Sequence, residues 1–318
     1  MPSTVLAELW DTTRMRLLVE IERRGSLSAA AREVGIGQPS ASQHLRLLEA
    51  AAGQRLVERN GRGSRLTEAG RVLAGRAAQA LATLGAADEE LAALAGLQTG
   101  TIHLGASTAP GVYLLPGTLG CFRRDYPGVT IEVEIAASAA VLRRLLDGRI
   151  QLAIVGSEHA DDRITLEPFL EDEIVGVAKP GLLKLRRGML EPTLMSEVTL
   201  LARERDSSSR QIVEEELAAA GAQPAGVWEL GSSEAIKRGA GEGLGVSFLS
   251  RYAVMDEVAR GELESFRLAG RPPMRRQFSI ARLAGRPFSP AELGFIATLT
   301  RCCVKSAEFA DACVGAAR

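Results

Sequence analysis

No run of about 18 apolar residues occurs in the 318-residue chain, so a membrane-crossing helix has no candidate segment. The opening stretch MPSTVLAELWDTTRMRLL meets Glu8 and Asp11 before a signal-like apolar region develops, and a cytoplasmic protein is expected. Cysteine is scarce: Cys121, Cys302, Cys303 and Cys313 show no C-x-x-C spacing and lie far from the histidines. A zinc site is therefore not expected, and neighbouring Cys302 and Cys303 read as packing residues of a reduced protein. Catalytic signatures are missing too. There is no G-x-S-x-G elbow, no H-E-x-x-H and no Walker-type loop, and His103 and His159 lack carboxylate or cysteine partners at useful spacing. The stretch GEGLGVS, Gly241 to Ser247, precedes a strand instead of leading from one into a helix, so it fails as a dinucleotide loop. Gly241 is expected to end a helix there, with the other glycines in a tight turn. No enzymatic activity, cofactor or metal is expected.

The net charge of −1 gives no global hint of a polyanionic partner, but the charge is unevenly placed. From Arg14 to Arg76 there are twelve arginines against six acidic residues, so the rest of the chain is acidic. A small basic module on a mildly acidic body points to nucleic-acid contact. Within it, Met15, Leu17, Leu18 and Ile21 fall on one helical stripe that Gly25 ends. Ser26 can cap a second helix, LSAAAREVG, with its exit at Gly35. The stretch GQPSASQHLRLLE follows: Gly37 or Gln38 at the cap, Pro39 in the first turn, and Leu45, Leu48 and Ala52 as the buried face. Three short helices with a tight glycine-containing turn make a helix-turn-helix. QRLVERNGRGSRLT then reads as a hairpin wing with Arg55, Arg59, Arg62 and Arg65 around its tip. Thr67 should cap a long helix reaching Gly96, about 43 Å at 1.5 Å per residue. Its heptad-spaced Leu73, Ala80, Ala87 and Leu94, with Ala77, Leu84 and Leu91, cannot hide an apolar stripe alone, so dimerisation through it is expected.

From Thr99 the texture changes to alternating strands and helices: TIHLGAS, a helix from Gly111 to Tyr126, VTIEVEI, a helix from Ser138 to Leu146, then LAIVG. That order implies a parallel sheet with covering helices. A second set follows: strands near Ile174–Ala178, Thr199–Ala202 and Gly226–Leu230, and helices opening at Ser207 and Ser232. GVSFLS, QFSIAR and a helix after Pro290 close the chain, with Ile280 assigned back to the first sheet. The expected fold is α/β with an all-α winged helix-turn-helix N-terminal domain, its α/β part built as two lobes like a periplasmic binding protein. The expected boundaries are 1–66 for the winged domain, 67–98 for the linker helix and 99–318 for the two lobes. Lobe 1 covers about 99–160 and 268–318, and lobe 2 about 161–267.

Several motifs occur in order: Gln38-Pro39-Ser40-Ala41-Ser42, Leu48-Glu49, Leu56-Val57-Glu58-Arg59 and Leu66-Thr67-Glu68-Ala69-Gly70. This set resembles the winged helix-turn-helix of LysR-type transcriptional regulators, and the remainder resembles that family's effector-binding domain. GASTAPGVYLLPGTLGCFRRDYPGV, RERDSSSR and GSSEAIKRGAGEGLGVSFLSRYAV look most like the branch controlling carbon-fixation and sulfur-assimilation operons. Three departures stand out: Gln43 where relatives often carry Arg, Ala136-Ala137-Ser138 for Gly-Asn-Ser, and Gln151 for the common Asp.

A helix end that enters the major groove needs short polar side chains close to base edges. Gln38 and Gln43 present donor and acceptor together, as suits adenine; Ser40 and Ser42 can meet phosphate or base, and Pro39 a thymine methyl. His44 and Arg46 either meet phosphates or pack, whereas Arg59 and Arg62 of the wing supply phosphate or minor-groove contact. In the α/β part a cleft should form where strand ends and helix N-termini converge. Ser107, Thr108, Ser138, Ser207, Ser208, Ser209 and Ser233 are its candidate effector residues, although each could equally serve as a plain N-cap. Arg203 and Arg210 flank the serine run, either to hold an anion's charge or as surface residues. The resemblance implies a small anionic effector: a sulfur oxyanion, a phosphorylated metabolite or a carboxylate. It also implies pseudo-palindromic double-stranded promoter DNA as a partner, a homodimer, pairing of dimers into a homotetramer, and RNA polymerase as a candidate contact. The alternative is a cytoplasmic small-molecule binding protein whose N-terminal helices serve as an oligomerisation module.

Overall fold

The computed structural model describes residues 11–60, 63–94, 100–156, 161–205 and 207–314. Helix α1 (Thr12–Arg24) starts where Asp11 accepts a hydrogen bond from the Arg14 amide at 3.0 Å and stops at Gly25 in the left-handed region. Helix α2 (Leu27–Val34) is capped by the Ser26 hydroxyl, and its Ala30 and Ala31 are buried, which lets the neighbouring helices approach closely. Helix α3 (Gln38–Ala52) opens with Gly37 as its cap and Pro39 in its first turn. Its buried face begins one turn earlier than the leucines alone suggest. Ala41 is fully buried beside Leu48, while Leu45 and Ala52 are only partly so.

The wing pairs β1 (Val57–Asn60) with β2 (Gly63–Leu66) in antiparallel register, Val57 opposite Leu66. Glu49 holds the wing to α3, its carboxylate accepting from the Leu56 and Val57 amides at 2.9 and 3.2 Å. Thr67 then caps α4 (Glu68–Leu94): its hydroxyl donates to the Arg55 carbonyl at 2.8 Å and accepts from the Gly70 amide at 3.0 Å. Any side chain at Gly70 would run into the Leu56 carbonyl oxygen. The Leu-Thr-x-Ala-Gly pattern is thus the joint between wing and linker helix.

The 27-residue α4 spans about 40 Å at 1.5 Å per residue. Ala74, Ala77 and Ala78 are buried in its first half, and Leu84 and Leu91 stand exposed in its second half, at 51% and 66%.

The body holds an eight-stranded mixed sheet and a separate two-stranded parallel one, Thr199–Ala202 beside Gly226–Glu229, with helices around them. Strands β3 (Gly100–Ser107), β4 (Val129–Ala136) and β5 (Leu152–Val155) run parallel, β3 in the middle. Helices α5 (Thr108–Tyr113), α6 (Leu115–Asp125) and α7 (Ser138–Leu146) connect them. The single helix expected from Gly111 to Tyr126 is instead two, broken at Leu114. Pro116 lacks the N–H that would continue the ladder.

Strand β6 (Ile164–Ala178) is far longer than the stretch expected near Ile174, and it runs antiparallel to β12 (Met274–Leu283). Ile280 of β12 pairs with Ile154 of β5, so β6 and β12 are themselves the two crossings between lobes. The sheet is therefore mixed, not parallel throughout. Lobe 2 adds β7 (Met189–Leu190), β8 (Thr199–Ala202), α8 (Ser208–Ala219), β9 (Gly226–Glu229), α9 (Ser233–Glu242), β10 (Ser247–Ser250), α10 (Arg251–Ala259) and β11 (Glu264–Leu268). Helix α9 continues through Gly241 and ends at Gly243, whose φ of 82° closes it; Gly245 lets the chain pass against the Thr199 carbonyl. The terminal α11 (Pro290–Val314) begins with a reciprocal capping box between Ser289 and Glu292 and packs on α6.

The winged module rests on lobe 1 of its own chain. Gly75 of α4 lies against Asp147, Glu22 pairs with Arg149 at 3.1 Å, and Arg23 pairs with Glu132 at 3.3 Å. No helix among the described residues is long and apolar enough to cross a membrane.

Candidate functional site

Two surfaces concentrate the residues that the sequence singles out. On α3, Gln38, Pro39, Ser40 and Gln43 are exposed and Ser42 is half-buried, while Ala41 between them is packed away. The polar first turn is therefore held on the surface by a buried alanine and Leu48. Arg46 is exposed and its guanidinium reaches back to the Ser42 carbonyl at 3.3 Å; His44 is half-buried. Arg55 and Arg65 stand exposed at the base of the wing. Arg62 and the side chain of Arg59 lie outside the described residues.

The second surface is the seam between the lobes, where a cavity of only about 30 Å³ remains. Ser107, Thr108, Ser138, Ser207, Ser208 and Ser209 all line it; Ser233 does not. Their hydroxyls have different duties. Ser107 accepts from the Gly156 amide at 3.2 Å, and Ser207 and Ser209 bond to each other at 2.8 Å. Ser232, not Ser233, caps α9, leaving the Ser233 hydroxyl to accept from Arg203 at 2.9 Å. The Ser138 hydroxyl, at the first position of α7, is buried with no hydrogen-bond partner.

Arg203 enters the cleft and Arg210 does not. Arg203 is anchored in lobe 2 and reaches Thr108 of lobe 1 at 3.4 Å, with Glu204 neutralising it at 2.7 Å. Burial would raise the Glu204 carboxyl, but the Arg203 hydrogen bond and charge hold it below its usual range. Arg210 instead turns to Glu214 and Glu229, both at 2.7 Å. A second bond crosses the seam at Tyr113, whose hydroxyl donates to Glu234 at 3.0 Å. Burial pushes this phenol up to about 12.

Sequence reasoning missed Arg276, the buried cation at the back of the cavity. It is 5% exposed and pairs with fully buried Asp172 at 2.8 Å, which also accepts from Ser250 at 2.8 Å. Burial pushes the Asp172 carboxyl up against the pull of Arg276. The signal was present in the sequence. Met274, Arg276, Phe278 and Ile280 alternate onto one face of β12, so an arginine sits where every neighbour is apolar. The cleft thus sets two cations and two helix starts, those of α7 and α8, around a small space. That arrangement can hold a compact anion by hydroxyl and amide donors backed by charge.

Comparison with known proteins accords with this architecture. Residues 12–71 match the bacterial regulatory helix-turn-helix protein family, lysR type, and residues 95–303 match the LysR substrate binding domain. The HTH-type transcriptional regulator CbbR of Rhodospirillum rubrum is 31% identical over 293 residues, 91% of this chain and 97% of that protein. Further relatives are named probable RuBisCO transcriptional regulators, among them one from Cyanophora paradoxa at 29% identity over 87% of both chains. In structure, a full-length OxyR variant from Pseudomonas aeruginosa superposes with a TM-score of 0.75 at 22% identity, covering 92% of this chain and 94% of that one. The regulatory domain of CcmR from Synechocystis PCC6803, solved in complex with 2-PG, gives 0.59 at 26% identity over 64% of this chain and 97% of that one. The chain belongs to the LysR family of DNA-binding transcriptional regulators, with an effector domain similar to those of the carbon-fixation branch.

Proposed function

We propose that this regulator reads pseudo-palindromic promoter DNA through the first turn of α3 and changes its grip when a small anion enters the cleft between the lobes. Gln38, Pro39, Ser40, Ser42 and Gln43 meet base edges and adjacent phosphates, Arg46 contacts phosphate, and Arg59 and Arg62 of the wing add sequence-independent affinity. Two chains pair along the exposed Leu84 and Leu91 stripe of α4, and two such dimers associate through their effector domains. RNA polymerase is a further contact, and the setting is the cytoplasm.

The observation that carries the effector site is the buried, unpartnered Ser138 hydroxyl facing a cavity that Arg203 and Arg276 also line. A buried hydroxyl without a partner costs about 1–3 kcal/mol, and an anion supplies the missing acceptor. Ser107, Thr108, Ser207, Ser208 and Ser209 complete the wall, with Ser233 acting through Arg203. The small volume favours a ligand whose anionic group is compact, and the related CcmR regulatory domain, solved in complex with 2-PG, makes 2-PG a candidate. Closure on the anion changes the placement of the two reading helices only as far as its affinities for the open and closed states differ.

A thermal-shift screen of sulfate, phosphate, 2-PG and small carboxylates tests this. At least one should raise the melting temperature, because a ligand that binds only the native state stabilises it. A shift that survives in Arg203→Ala with the same concentration dependence would place the anion elsewhere.

A further inference from the structure

Where the winged module rests on lobe 1, the two do not close completely against each other. An open cavity of about 410 Å³ remains there, against about 30 Å³ in the cleft between the lobes. Three parts of the chain wall it: Arg16 and Val19 from α1, Leu81 and Gly85 from α4, and Arg149 and Gln151 from lobe 1. Its volume lies in the range that takes a small organic molecule.

The wall is divided chemically. Val19 and Leu81 are half-buried and, among the described residues, belong to none of the hydrophobic cores. A Cβ at Gly85 would meet open space. The three carboxylates of the wall are already engaged. Glu20 accepts from Arg23 and Arg24, Glu33 from Arg24, and Glu292 from Arg286 and the Ser289 amide. Two cations keep spare capacity. Arg16 is exposed and makes no ion pair among the described residues. Arg149 pairs with Glu22 at 3.1 Å, yet its Nε is buried without an acceptor.

We propose that this junction is a second ligand site, separate from the cleft, for a small organic anion. Its apolar body lies on Val19 and Leu81, and its carboxylate, sulfonate or phosphate faces Arg16 and Arg149. A buried donor without an acceptor is costly, and the anionic group supplies one beside Arg149. Because the walls belong to separate parts of the chain, the site exists only while α1 stays docked on lobe 1. Exposed ion pairs of modest worth hold that dock: Arg23 and the His103 ring share the Glu132 carboxylate, at 3.3 and 2.9 Å. A ligand bridging α1, α4 and lobe 1 adds its binding free energy to the docked arrangement alone, and so clamps the DNA-reading module in one placement. DNA that needs another placement would oppose the ligand, each lowering the other's affinity by the same factor.

The test titrates the full-length protein with 1-anilinonaphthalene-8-sulfonate, an anion with an aromatic body, followed by fluorescence and by amide hydrogen exchange. The expected result is saturable binding of one probe per chain, with exchange slowed together at residues 16–23, 78–85 and 148–151. Val19→Asp sets a carboxylate on the apolar wall and should weaken binding about tenfold or more. Arg16→Glu should weaken it about three- to fivefold, the worth of an exposed charge contact. An unchanged melting temperature separates loss of the site from loss of the fold; should Val19→Asp fail to fold, exposed Arg16 carries the test. Arg203→Ala, in the cleft, should bind the probe as the wild type does. Three results would overturn the proposal: no saturable binding to the native protein, slowed exchange confined to the seam between the lobes, or binding lost in Arg203→Ala but kept in Arg16→Glu.

Discussion

Replacing Ser138 by alanine should separate stability from ligand binding, because the hydroxyl is buried and unpaired in the unliganded chain. Ala137 occupies the cap position of α7 and the Ser138 side chain makes no capping bond, so helix formation loses nothing. Removing an unsatisfied buried hydroxyl should leave the free protein equally stable or more stable by up to about 1–3 kcal/mol. A hydrogen bond from that hydroxyl to a bound anion is worth about 1.5–3 kcal/mol, so affinity should fall roughly 10- to 150-fold. The assay pairs urea denaturation of the free protein with calorimetric titration of whichever anion stabilises the wild type most. If Ser138→Ala destabilises the free protein by more than about 1 kcal/mol and leaves anion affinity unchanged, the hydroxyl is structural and the cleft assignment fails.

Three further perturbations follow from the same geometry. Gln38→Ala should cost about 1–3 kcal/mol on specific DNA and little on random DNA, whereas Arg65→Ala should weaken both alike and lower the salt slope by about one; equal losses for Gln38 on both DNAs would remove its base-reading role. Gly70→Ala drives a methyl group into the Leu56 carbonyl, so its melting temperature by circular dichroism should drop by several degrees, and an unchanged value would contradict the wing joint described above. Tyr113→Phe removes the bond to Glu234 across the lobe seam and should change anion affinity without touching the cavity wall, read by the same calorimetric titration. Because the folded phenol is raised to about 12 from 10, its stabilisation is complete below pH 10 and is lost as pH rises toward 12; that alkaline dependence should vanish in the variant.

Local chemistry made the winged module legible. Asp11, Ser26 and Thr67 are caps whose side-chain bonds form as their residue types demand, and Gly25 and Gly35 terminate helices in the left-handed region. The long β6 was not legible in the same way. Its first ten residues, ITLEPFLEDE, carry a proline and four carboxylates and lack the alternation of a half-buried strand. Pairing with β12 overrides that pattern, and Pro168 is accommodated where the register shifts between Phe278 and Ser279. The candidate serines were visible because helix starts favour them, but sequence could not say which were occupied as caps and which were free. That distinction depends on Gly156, Arg203 and the Ser207–Ser209 pair, all brought in by tertiary packing. Arg276 was readable as an arginine in an apolar alternation, yet only the topology puts it at the cleft.

The central claim is that the polar first turn of α3 reads sequence and that the cleft controls how. A gel-shift titration of the full-length protein against the DNA upstream of its own gene, at fixed moderate salt, addresses it most directly. The preference over scrambled DNA should be about 10³-fold or more, and the stabilising anion should alter the affinity or the bound length of DNA. Equal binding to both DNAs, with no response to the anion, would contradict it.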